Sequence, residues 1–143
     1  MHSSENSKRD NGNLGKDRKR IKKARRRIRK LKESSRLNKQ QKARRFVVIA
    51  AGIVRIINKS KKALRIFRRL ARDEDPNLLQ CRKGSSKHLP VLRYLKLTRY
   101  PATTRRYADG IDACLRQKGR WKDIRRRVIA NGVASICRSG GDK

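Results

Sequence analysis

The sequence is poor in aromatic side chains, in acids and in cysteines, and it has no long apolar run. Two Phe, one Trp and three Tyr in 143 residues are too little bulk for a large core. The length fits one small domain plus an arm, and a second copy of the chain or a partner is expected to complete the core. Asp and Glu number 11 against 44 Lys and Arg, a formal net charge of +33. Such a chain repels itself until a polyanion supplies the missing charge. Nucleic acid has the highest linear charge density of the candidates, and counterion release favours binding to it. Cys81, Cys114 and Cys137 are odd in number and widely spaced, which excludes a disulfide framework. No apolar run approaches the ~20 residues of a membrane span. The first residues hold no apolar core of the signal-peptide kind. A reducing, non-secreted setting is expected: cytoplasm, nucleus or nucleolus.

Signs of catalysis and of metal binding are equally sparse. His2 lies in the polar N-terminal stretch and His88 in a loop beside a helix start. No CxxC or HxxxH pair occurs, so zinc would need ligands drawn from separate segments. Asp73, Glu74 and Asp75 mark a helix junction, and Asp109 and Asp112 are placed to pair with Arg105, Arg106 or Arg116. No nucleophile elbow, phosphate loop or paired-carboxylate arrangement is present. The sequence gives no reason to expect an enzyme, a cofactor or a metal.

What is there is helical periodicity carried by basic residues. Residues 1–15 are polar and expected to be disordered. In residues 17–34, Ile21, Ala24, Ile28 and Leu31 form a thin apolar seam among arginines and lysines. Like charges oppose this helix in water, so the arm is expected to be disordered to helical, completing its helix on a phosphate backbone. Residues 46–57 (FVVIAAGIVRII) are apolar all round, so they are expected to be buried or to face a protein or lipid partner. The Val and Ile content keeps a strand open, while the strong helix formers of residues 39–45 and Ala50-Ala51 favour helix. Ser60 caps a third helix with Ala63, Leu64, Phe67, Leu70 and Ala71 on one face. Asp75-Pro76 starts a short turn. A helix around Leu92 and Leu95 is stopped by Pro101. Thr103 or Thr104 caps the next, and Gly119 ends it in the left-handed region. The last helix carries Trp121, Ile124, Val128, Ile129, Gly132, Val133 and Ile136 on one stripe.

The nucleic-acid contacts are expected in two places. The first is the arm: Arg18, Lys19, Arg20, Lys22, Lys23, Arg25, Arg26, Arg27, Arg29, Lys30, Arg44 and Arg45. The planar guanidinium fork suits phosphate, and arginine-rich segments fold on RNA. A solvated face or a nuclear-import signal would use the same residues. The second is Arg120, Lys122, Arg125, Arg126 and Arg127. Trp121 sits among them as a stacking platform would, but it is in phase with Ile124 and Val128. With Phe46, Ile49 and Ile53 it is assigned to a core or dimer interface. Tyr94, Tyr100 and Tyr107 are interleaved with arginines, which permits stacking.

The basic tail to Arg45, the apolar run 46–57 and the segment Gly119-Arg120-Trp121-Lys122 leading into a basic helix resemble small capsid proteins of the flavivirus type. The insertion of residues 73–118 departs from that pattern. The resemblance implies an all-helical homodimer, with one apolar surface on membrane or lipid and the opposite basic surface on an RNA genome. The expected architecture is therefore all-α: a basic arm at residues 1–45, a helical and dimeric domain at 46–139, and a flexible tail at 140–143. The expected function is an RNA-binding structural protein that neutralises and packages nucleic acid, RNA before DNA. A silencing suppressor, a ribosomal-type protein and a membrane-active basic protein are the alternatives.

Overall fold

A computed structural model describes the backbone of residues 2–139 and the side chains of residues 15–138. The tail expected at 140–143 lies outside the described residues. So do Met1 and the side chains of residues 2–14; the backbone of residues 2–15, expected to be disordered, forms the first turns of α1 instead. The described residues form α1 (His2–Glu33), α2 (Lys39–Lys59), α3 (Lys61–Glu74), a 3-10 turn (Pro76–Leu79), α4 (Leu89–Leu95), α5 (Pro101–Arg116) and α6 (Trp121–Ser139), with no strand among them. The fold is all-α.

The apolar helix α2 is the centre. Asn38 and Gln41 start it with a reciprocal cap: the Gln41 amide donates to Asn38 Oδ1 at 2.8 Å, and the Asn38 amide donates to Gln41 Oε1 at 3.0 Å. Phe46, Val47, Ile49, Ala50, Ala51, Ile53, Val54 and Ile57 are buried. They pack against α1, α3 and α6 of the same chain. The cover expected from a second copy, or from residues 73–118, is thus supplied largely by the first and last helices. Each fully buried Val, Ile or Phe contributes about 1.5–3 kcal/mol of transfer free energy, and the segment is helix, not strand.

The division expected after Arg45 falls inside α2, and α1 is not a separate arm over its seam. Ile21, Ala24 and Ile28 are buried in the common core. Arg25 fixes the register. Its guanidinium donates both Nη groups to the Glu74 carboxylate at the end of α3, and lies 4.5 Å from the centroid of the Tyr94 ring in α4. Lys32 Nζ donates to the Lys96 carbonyl just past α4. Tertiary packing therefore overrides the like-charge repulsion along α1.

Local signals place most other boundaries. Ser60 Oγ accepts from the Ala63 amide at 3.3 Å, and Asp75 Oδ1 accepts from the Asn77 amide at 3.0 Å. Three boundaries differ from expectation. Lys96, in the left-handed region at φ 54°, ends α4 before Pro101. Pro101 opens α5 from its first turn, so Thr103 and Thr104 are buried inside the helix, and Thr104 Oγ1 donates back to the Tyr100 carbonyl at 3.1 Å. Gly119 follows the end of α5 in the link to α6, at φ +155°.

Gly132 lets α6 approach α2 and α5. A Cβ there would stand 2.5 Å from Val47 Cγ1 and 2.7 Å from Tyr107 Cζ, both buried. Gly132→Ala is expected to cost about 1–3 kcal/mol of overpacking, against roughly 1 kcal/mol of gained helix propensity. At Gly110 the obstacle is only the tip of the exposed Asn131 side chain, at 2.4 Å. Gly110→Ala is expected to be neutral or stabilising. Urea denaturation of the pair checks this, and equal losses at both positions would remove the packing argument.

Candidate nucleic-acid interface

The seam of α1 turns inward, which sorts its cations into two stripes. Arg20, Lys23 and Arg27 stand on the α2 side, facing Val48, Gly52 and Ile56. Lys19, Lys22, Arg26 and Arg29 stand on the other side, around Tyr94. All seven are exposed. Arg18, Lys30, Arg44 and Arg45 are exposed as well. Arg25 is the exception among the expected phosphate contacts. Glu74 and Tyr94 occupy it, and its side chain keeps 15% exposure.

Between α1 and α2 runs a groove. Its wider end, about 870 Å³, is lined by Lys30, Leu31, Arg36, Leu37, Arg44 and Arg45 among others. It continues, through the shared Arg27, Val48 and Ile49, into a section of about 450 Å³ that ends at Arg55 and Ile56. Arg55 joins the groove to the second expected contact region, because its guanidinium lies 5.7 Å from the centroid of the Trp121 ring at the start of α6. Arg120, Lys122, Arg125, Arg126 and Arg127 are exposed in those first turns. Trp121 and Ile124 are half-buried against the core, and Val128 is fully buried. The stripe of α6 thus serves as core, and the Trp121 ring meets an arginine.

The cations crowd one another. Burial first, then the charges of Arg99 and Lys96, push the Lys32 ammonium below its ordinary pKa. A bound polyanion would relieve that repulsion.

No family model matches the chain, and neither curated proteins nor solved structures show a significant match to it. Among the described residues no helix is long and apolar enough to cross a membrane, and no three His, Cys, Asp or Glu side chains gather as metal ligands would. Of residues 46–57, the part expected to meet lipid, mainly Val48, Gly52, Arg55 and Ile56 remain accessible.

Sequence reading missed one buried polar pair. His88 is fully buried, and its Nδ1 lies 2.8 Å from Asp112 Oδ1. Asp112 was expected to pair with arginines of its own helix. Nothing in the spacing signals this pair, since α4 and α5 meet only in the fold. Ser86 Oγ accepts from the His88 amide and donates to the Ala108 carbonyl, while His88 Nε2 is buried without a partner. Burial lowers the imidazole pKa, Asp112 pulls it back up in part, and Lys87 adds to the lowering. The unfolded imidazole titrates near ~6.5, so the unfolded chain binds the proton more readily. The contribution to stability is complete above that value and is lost as the pH falls through the folded one. Stability measured by urea is expected to drop on acidification from neutral pH, and His88→Gln, although less stable overall, should lose that part of the slope. A wild-type profile flat across this window would contradict the burial argument. Cys114, also buried, has its thiol pKa raised by burial against the pull of Arg127, which fits a packing role.

Proposed function

We propose that the protein is a nucleic-acid-packaging protein of the nucleocapsid type, binding RNA first, through a folded basic surface. What carries the reading is the outer stripe of α1. Lys19, Lys22, Arg26 and Arg29 are exposed on a helix whose opposite face is buried in the core. Repeated cations on one helix face match the repeated phosphates of a nucleic-acid strand. Arg120, Lys122, Arg125 and Arg126 add a second patch, so one chain contacts a strand at two places. Such contacts read no bases, and binding is expected to be indifferent to sequence.

The binding unit in this reading is the single chain. The α2 helix is covered without a second copy, and a charge of +33 opposes self-association until a polyanion screens it. Free of nucleic acid, the protein should sediment at its chain mass of 16.6 kDa and assemble when RNA is added.

The test is competition among long single-stranded RNA of varied sequence, short RNA duplexes and anionic vesicles. Long single strands are expected to win regardless of sequence and to be condensed. Preference for short duplexes would favour a silencing suppressor. Preference for one structured RNA would favour a ribosomal-type protein. Tight binding to vesicles without RNA would favour a membrane-active protein.

A further inference from the structure

We propose that the α1/α2 groove is a docking site for an acidic amphipathic helix of a partner protein, separate from the phosphate-binding outer stripe. Two observations carry this. The first is chemistry. The floor is aliphatic, with Leu31, Leu37, Val48 and Ile56, and the walls are basic, with no acidic and no aromatic residue in the lining. A phosphate backbone gains nothing from an aliphatic floor, and bases find no ring there to stack on. A second copy of this chain would bring like charge to like charge. A flat lipid surface does not reach into a concave groove. A helix with an apolar stripe flanked by Asp and Glu satisfies floor and walls together.

The second observation is Gly52. It lies in the middle of α2, exposed, on the groove side, and a Cβ there would meet nothing within 4 Å. Neither a close contact within the chain nor a positive φ requires glycine at this position. In a helix interior it costs about 1 kcal/mol relative to Ala. A glycine in that place lets another backbone come close, as a docked helix would. The groove is also long enough: it runs from Leu37 past Arg27 to Ile56, so a helix of several turns could lie along it.

The test uses the full chain freed of nucleic acid and two labelled peptides of one composition. One places Leu at helical i, i+4, i+7 spacing between Glu flanks; the other is its scramble. Fluorescence anisotropy should show the amphipathic peptide bound at least about tenfold tighter than the scramble, with the difference surviving salt that removes non-specific attraction. Gly52→Trp fills the groove without touching the core and should abolish the difference while leaving RNA affinity within about twofold. Arg27→Glu with Arg44→Glu, both exposed, should abolish it by charge and leaves the groove's shape alone. Equal binding of the two peptides would overturn the proposal. A difference that survives both variants would overturn it as well. If Gly52→Trp instead weakens RNA binding strongly, the groove belongs to the nucleic acid and the proposal fails, while the packaging reading stands.

Discussion

Deleting residues 1–33 is expected to unfold the protein. Ile21 and Ile28 are among the most deeply buried side chains, and Ala24 lies between them in the core. Truncating even one such Ile to Ala costs about 2–5 kcal/mol, against a total of about 5–15 kcal/mol for a domain. The deletion removes all three, with the Arg25 bonds to Glu74 and the Lys32 bond to Lys96. Tyr94 would lose the Arg25 guanidinium beside its ring at the same time. Circular dichroism should show loss of most helicity well beyond the deleted turns. A truncated chain with the remaining helices intact would mean that α1 is a dispensable arm, as sequence periodicity alone suggests. Binding should fall with folding, because the deletion also removes Lys19, Lys22, Arg26 and Arg29.

The opposite separation is expected for the outer stripe. Changing Lys19, Lys22, Arg26 and Arg29 together to Gln removes four exposed cations and no buried side chain. Each phosphate contact on a single strand is worth about 0.7 in the exponent of salt concentration, so four contacts correspond to about a thousandfold in affinity near 0.1 M salt. Helicity and urea stability should hold or rise, because like charges four residues apart oppose a helix. Unchanged affinity in a folded variant would place the RNA elsewhere on the surface.

These two outcomes show what the residues disclosed and what they withheld. Each of the six helices is legible from its apolar spacing or its caps. The Ser60, Asp75 and Asn38 neighbourhoods stop and start the chain where short-range chemistry says they should. The cations that face solvent are legible too, because a thin seam such as 21–24–28–31 can bury only one side of its helix. Partnership across the chain is not legible. Arg25 looks like its neighbours in sequence, yet Glu74 is 49 residues away and makes it structural. His88 and Asp112 are joined only by the packing of α4 on α5. Periodicity says that a face of α2 is buried, never against what, so neither a second copy nor residues 73–118 can be read off as its cover. Gly52 and Gly132 are both mid-helix glycines; only the fold separates the one pressed on Val47 from the one facing open space.

The central claim is that a folded surface of exposed cations holds RNA by its phosphates. The most direct test is the slope of log affinity for long single-stranded RNA against log salt concentration, for the native chain and for the four-site Gln variant. A steep negative slope is expected for the native chain, less steep by about 3 in the variant, since each lost contact removes about 0.7. A flat native slope, or two slopes that coincide, would contradict it.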